Sequence, residues 1–137
     1  MREALGRLID LPKIIDPRGN LTVAEQQKEV PFKMERVYWT YDVPSGESRG
    51  GHAHKTCEEV IVAVSGSFDV TLDNGESRET YHLNHPYQGL YVGTGIWRTL
   101  EDFSSGAVCL VMASHLFEEE DYIRDYDEYR QWAKQSK

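Results

Sequence analysis

The chain has 137 residues, 39% apolar, 11% aromatic and 28% charged, which fits one globular domain (1–137) able to bury its own core. Fifteen basic against 23 acidic residues leave a formal charge of −8, which argues against a general nucleic-acid or anionic-membrane binder. No apolar run reaches the ~18 residues of a membrane span, and no signal-peptide pattern opens the chain, so a cytoplasmic protein is expected.

In chain order, Leu8 to Ile15 is strand-like but has no obvious hairpin partner. An unpaired apolar strand is a liability, and adding it to a neighbour's sheet would cover it; a homodimer, with N-terminal strands exchanged, is the expected assembly. Val37 to Tyr41 is dense in β-formers, and Val60 to Val64 and Ala107 to Met112 are apolar runs of buried-strand length. Phe68, Val70 and Leu72 alternate with polar residues, Asp73-Asn74-Gly75 supplies a tight turn, and Tyr81 and Leu83 mark the returning strand. Further turns at 84–86, 93–95 and 104–106 punctuate the chain about every ten residues, the rhythm of an all-β sandwich or barrel. At the C-terminus Tyr122, Tyr126, Tyr129 and Ala133 fall at i, i+4, i+7 and i+11, one stripe of a helix. Seven acidic residues and one basic one between Glu118 and Glu128 read as the solvated start of that helix. Cys57 and Cys109 sit beside or inside apolar runs and belong to no spaced framework, so both are read as reduced structural residues.

The chemistry gathers in GESRGGHAHKTCEEVIVAVSG, Gly46 to Gly66. On a strand His52 and His54 project to one face, two imidazoles on one wall. Gly46, His52, His54, Glu59 and Gly66 fit the spacing G-x5-H-x-H-x4-E-x6-G, which resembles the first motif of the cupins, double-stranded β-helix jelly rolls with an internal site. Tyr91 to Arg98 resembles the second cupin motif, with Arg98 where a metal-binding histidine would stand. A fixed guanidinium there disfavours a divalent metal, leaving a cavity with two imidazoles suited to proton transfer. Arg49 and Arg98 are suited to hold phosphate or a developing oxyanion, and Tyr38, Tyr91 and Trp97 to pack against a sugar or base.

RGGHAHK with the preceding RVYWTYDVPSGE, GLYVGTGIWR, DFSSGAVCLVMAS, EEDYIRDYDEY and the N-terminal DPRGNL together resemble the nucleotide-sugar 3,4-ketoisomerases. The resemblance implies a cupin jelly roll with a short C-terminal helix, a homodimer, and a dTDP-linked 4-keto-6-deoxyhexose substrate whose ketone moves from C4 to C3, with no metal or other cofactor. It further implies His54 as main base with His52 as its partner, and Arg49, Tyr38 and Arg98 lining the sugar and pyrophosphate pocket. Lys55, closing the HAHK segment, joins the expected substrate-binding residues, and Arg18 and Arg98 are candidates for shaping the face of C4 that is protonated. The implied setting is biosynthesis of 3-amino-type deoxysugars for a lipopolysaccharide or S-layer glycan. Three rivals remain at this level: a 3,5-epimerase on the same fold, a metal-dependent cupin using His52, His54 and Glu59, and a non-catalytic sugar-binding cupin.

Overall fold

A computed structural model describes residues 4–136. The strands are β1 (Gly6–Asp10), β2 (Lys13–Ile14), β3 (Leu21–Thr22), β4 (Arg36–Tyr41), β5 (Arg49–His54), β6 (Glu59–Ser65), β7 (Phe68–Asp73), β8 (Arg78–Leu83), β9 (Gln88–Val92), β10 (Trp97–Glu101), β11 (Val108–Ala113) and β12 (Tyr122–Ile123). Among the described residues one α-helix, α1 (Tyr126–Gln135), closes the order. Two five-stranded sheets run β1-β9-β6-β11-β4 and β12-β5-β10-β7-β8, and β2 and β3 form a small separate ribbon. All pairings between these strands are antiparallel.

Period-two alternation explains how the sheets close on each other. Phe68, Val70 and Leu72 on β7 meet Ile61 and Ala63 on β6, Leu90 and Val92 on β9, and Cys109 and Val111 on β11 in one buried cluster. A second cluster, with Val60, Val62 and Met112, lies on the outer face of the first sheet, where Val30 and Phe32 cover it. That cover stops short of β4, leaving Val37, Trp39 and Tyr41 exposed. Gly66 ends the histidine motif for a steric reason. Its φ is +67°, and a Cβ there would come within 2.8 Å of the Ala107 Cα.

This is the jelly-roll architecture expected, with three local corrections. The segment from Leu8 does have a partner in its own chain, because Gly6 to Asp10 pairs in register with Gln88 to Val92. Tyr122 is not helical; it pairs with His54 as part of β12, and the helix starts at Tyr126 behind an Asp125 N-cap whose side chain accepts from Glu128 N–H. The helix lies on the outside of the second sheet, with Tyr129 and Ala133 packed against Ala53, Trp97 and Ile123. The acidic stretch is likewise only partly a helix start, since Glu119–Asp121 forms a single 3-10 turn ahead of β12. Both cysteines are free and buried.

Candidate active site

A cavity of about 560 Å³ opens between the two sheets, floored by the core residues Ile61, Leu100, Cys109 and Val111. Register places its chemistry. Arg98 on β10 stands directly opposite His52 on β5, and Tyr122 on β12 stands opposite His54. On β5 a bulge intervenes: Arg98 faces His52 while Leu100 faces Arg49, so three steps on β5 match two on β10. Gly50, at φ +75°, absorbs the extra residue. Three residues apart on a regular strand, Arg49 and His52 would face opposite ways; the bulge lets both line the cavity. From the other sheet come Arg36 and Tyr38 of β4 and Glu59 at the start of β6.

The side chains form one connected network. Glu59 accepts from Arg98 Nη1 at 2.6 Å and from the Tyr38 hydroxyl at 2.6 Å. His54 Nε2 lies 3.5 Å from Glu59 Oε2 and 3.2 Å from His52 Nε2, while its Nδ1 lies 3.2 Å from Asp121 Oδ2. Burial opposes ionisation of Glu59, but the neighbouring His54 ring, the Arg98 charge and the Tyr38 hydroxyl outweigh it and hold its carboxyl well below the usual range. Burial, then the Glu59 charge and hydrogen bond, push the Tyr38 phenol far up, so it keeps its proton. His52 is depressed to about 3 by burial first, then by the charge of Arg98. It is therefore a neutral imidazole near pH 7, able to accept a proton. Among the described residues, the two buried side-chain nitrogens without a hydrogen-bond partner are Arg36 Nε and Arg98 Nε, both on cavity-lining residues. Buried donors left open at a cavity suit an oxygen-rich anionic ligand.

A family model described as FdtA: WxcM-like, C-terminal, matches residues 5–134. The chain belongs to this family. It is 44% identical over 126 residues to the TDP-4-oxo-6-deoxy-alpha-D-glucose-3,4-oxoisomerase of Aneurinibacillus thermoaerophilus, covering 92% of this chain and 91% of that one. A histidine-to-asparagine variant of the 3,4-ketoisomerase QdtA from Thermoanaerobacterium thermosaccharolyticum, solved in complex with TDP-4-keto-6-deoxyglucose, superposes with a TM-score of 0.94 at 36% identity. That match covers 98% of this chain and 97% of the other. The WlaRB TDP-quinovose 3,4-ketoisomerase from Campylobacter jejuni gives 0.87 at 43% identity, over 92% and 97% of the two chains. The resemblance drawn from the sequence motifs is borne out.

Within this FdtA/WxcM-like chain, the cavity gathers His52, Arg49, Tyr38 and Arg98 of the expected residues. His54 is 1% exposed and lies behind His52 rather than on the cavity wall. Four others lie elsewhere. Trp97 is packed under α1 with Tyr126 and Tyr129. Tyr91 joins the outer-face cluster and donates its hydroxyl to Glu58. Lys55 borders a separate depression beside Trp132, and Arg18 is exposed and ion-paired with Asp16. Residues that the motifs did not single out complete the wall: Arg36, Phe117, Tyr122 and Arg124. Arg36 stacks over Tyr38 and Phe117, and Arg124 over Tyr122 at 4.2 Å. Alternation on the 37–41 strand offers Arg36, which shares a face with Tyr38; Arg124 falls inside the helical stripe expected from Tyr122 and carries no such signal.

The metal familiar to the cupin pattern does not fit these residues. His52, His54 and Glu59 do bring ligand atoms within 4.8 Å of one another. Yet both Glu59 oxygens are engaged, one by the buried Arg98 guanidinium. A cation fixed at the carboxylate competes with any metal for the same charge.

Proposed function

We propose that this chain is a 3,4-ketoisomerase of a TDP-linked 4-keto-6-deoxyhexose, working by proton transfer without metal or other cofactor. One observation carries the proposal: a neutral, cavity-facing His52 sits directly across the sheet from a buried Arg98 whose Nε is unpaired. The C4 ketone acidifies the C3 proton. His52 takes that proton, the C3–H electrons form the C3–C4 double bond, and the charge settles on the C4 oxygen. Arg98 and Arg36 supply donors for an enediolate oxygen or a phosphate, stabilisation that grows as the charge develops. A proton delivered to C4, with the O3 proton passing to the C4 oxygen, then leaves the ketone at C3 and a hydroxyl at C4, with no net change in protons or electrons. His54, which the motif reading cast as the main base, fits better as the group to which His52 passes the proton, since 3.2 Å separates their Nε2 atoms and His52 alone lines the cavity.

Arg49 and Arg124 at the wall suit the pyrophosphate, and a C3 ketone is the group an aminotransferase would convert to a 3-amino sugar for a surface glycan. We place the enzyme in the cytoplasm, and among the described residues no helix is long and apolar enough to cross a membrane. The exposed Val37, Trp39 and Tyr41 on β4 suit a homodimer interface. Incubating the protein with TDP-4-keto-6-deoxyglucose in deuterated water should give a 3-keto product with deuterium at C4, read by proton NMR. Deuterium entering C3 and C5 without ketone migration would mark an epimerase, and unchanged sugar that nonetheless binds would mark a sensor; either overturns the proposal.

A further inference from the structure

We propose that Asp121 is a positioning residue that fixes the His54 ring with its hydrogen on Nδ1, and so makes His54 Nε2 the acceptor for the proton leaving His52. Its role in turnover rests on the isomerase reading above; the tautomer it imposes does not.

Asp121 ends a run of four acidic residues whose first three, Glu118 to Glu120, are exposed. It alone turns inward. Its Oδ1 accepts from the Thr56 N–H at 2.7 Å and from the Thr56 hydroxyl at 2.7 Å. Its Oδ2 accepts from the Cys57 N–H at 3.2 Å and faces His54 Nδ1 at 3.2 Å. The Asp121 carbonyl accepts from the Lys55 N–H at 2.9 Å, and the next two residues pair with His54 and Ala53. The segment is thus stitched to the chain on both sides of His54. Burial works against the Asp121 charge, but the Thr56 side-chain and backbone bonds and the His54 bond outweigh it and lower its carboxyl. An ionised carboxylate only accepts, so the nitrogen facing it must carry the hydrogen.

The consequence runs to His52. With Nδ1 of His54 protonated, its Nε2 lone pair accepts the Nε2–H of His52, which leaves Nδ1 as the basic nitrogen of His52. When that nitrogen gains the substrate's proton, His52 can give up its Nε2 hydrogen to His54 Nε2. The charge then moves to a ring lying between two carboxylates, Asp121 and Glu59. His52 gains one proton and loses one, and the return step runs the same path backwards. The opposite tautomer of His54 would set a lone pair against the Asp121 carboxylate and remove the acceptor.

Asp121→Asn tests this, because one amide oxygen cannot serve both sides. The two Thr56 donors at 2.7 Å hold the oxygen more closely than the Cys57 N–H at 3.2 Å, so the NH2 group faces His54 and favours the Nε2–H tautomer. Nitrogen-15 spectra of the ligand-free enzyme should show His54 protonated at Nδ1 in the native chain and at Nε2 in the variant. Turnover should fall by about 10- to 100-fold, with KM for the TDP-keto-sugar and affinity for TDP little changed. Thr56→Val removes a donor from the same carboxylate without touching His54, and should keep the native tautomer and most of kcat. An unprotonated His54 Nδ1 in the native enzyme overturns the proposal, and that readout stands even if the Asn variant fails to fold. So does an Asn variant that keeps the tautomer, or whose kcat and KM change in step with those of Thr56→Val. If the native enzyme does not isomerise the sugar yet shows the expected tautomer and its inversion, the isomerase reading fails and the positioning role of Asp121 stands.

Discussion

Arg98 Nη1 and Glu59 Oε1 lie 2.6 Å apart, each side chain only 1% exposed, and they join the two sheets at the cavity wall. A buried pair of this kind adds little net stability as a pair, but removing one member strands the other charge. Arg98→Met should therefore lower the unfolding free energy by about 3–5 kcal/mol. Glu59→Gln should cost less, because its amide oxygen still accepts from Arg98 or Tyr38. Urea unfolding of both variants beside the native chain checks the order; little loss in Arg98→Met would mean that no buried charge is stranded when the guanidinium is removed.

The same guanidinium governs the pH response. His52 is depressed to about 3 by burial and by Arg98, below the ordinary ~6.5 of a free imidazole. Between those values the unfolded chain binds the extra proton and the fold does not, so stability falls as pH drops below ~6.5 and goes on falling toward ~3. Glu59 and Asp121, both held low, act in the same direction, because the stability they lend above their unfolded pKa is lost as they protonate. Thermal melts should be flat above neutrality and fall on the acid side, and His52→Gln should flatten the portion between pH 6.5 and 4.5. The acid limb of kcat/KM should lie below pH 6.5 in the native enzyme and move upward in Arg98→Gln, which lacks the repelling charge. An acid limb centred at 6.5 in the native enzyme would contradict a neutral, buried His52.

Much of this arrangement could be read from residue order. The G-x5-H-x-H-x4-E-x6-G spacing found the strand that carries His52 and His54, and period two put them on one face. Spacing alone could not say which imidazole meets the cavity. That depends on the Gly50 bulge and on the segment crossing behind His54, a contact between residues 67 positions apart. Local periodicity makes the acidic stretch a solvated helix start, because it sees only near neighbours; β12 forms there because Tyr122 and Ile123 find β5. The ring chemistry of Tyr91 and Trp97 suits a sugar site, but alternation on β9 and β10 turns both side chains to the outer layers.

The two histidines should separate in kinetics. His52→Asn removes the group on the cavity wall, and C3 exchange with solvent deuterium should fall by about 10²–10⁴-fold while TDP still binds. His54→Asn removes the acceptor behind it, so the first deprotonation should survive better than the complete ketone transfer. The motif reading, with His54 as main base, requires the reverse order of exchange rates. Measuring C3 exchange and product formation in parallel on both variants decides between them.

On the assembly, β4 leaves Val37, Trp39 and Tyr41 exposed at 46%, 57% and 60%, a contiguous apolar strip on a sheet edge. Light scattering should give twice the 15.8 kDa chain mass at micromolar concentration. Trp39→Lys with Tyr41→Glu should return the monomer mass with little change in far-UV circular dichroism. Since β1 already pairs with β9 within the chain, exchanged N-terminal strands would have to re-form that same pairing in trans. A cysteine pair at Asp10 and Gln88 distinguishes the two, giving a covalent dimer only if the strands are exchanged. A native chain that stays monomeric at high micromolar concentration would remove the interface altogether.

Metal dependence gives the last prediction. Three ligand atoms from His52, His54 and Glu59 can converge within 4.8 Å, the set that makes a metal-dependent cupin a serious rival. Binding a divalent ion there would require freeing Glu59 from Arg98 and Tyr38, at 2.6 Å each, and leaving a guanidinium in the cavity wall beside two further charges. In the low dielectric of the interior such like charges repel by several kcal/mol at the separations involved, by order-of-magnitude Coulomb reasoning. His54 would also have to present Nε2 to the metal and give up His52 as its neighbour, breaking the path along which the proton leaves. Exhaustive treatment with EDTA should therefore leave full ketoisomerase activity, and elemental analysis of the untreated enzyme should find well under one equivalent of any transition metal. Activity lost on chelation and restored by one particular divalent ion would show that Arg98 swings out of the wall during turnover, and would hand Glu59 to the metal.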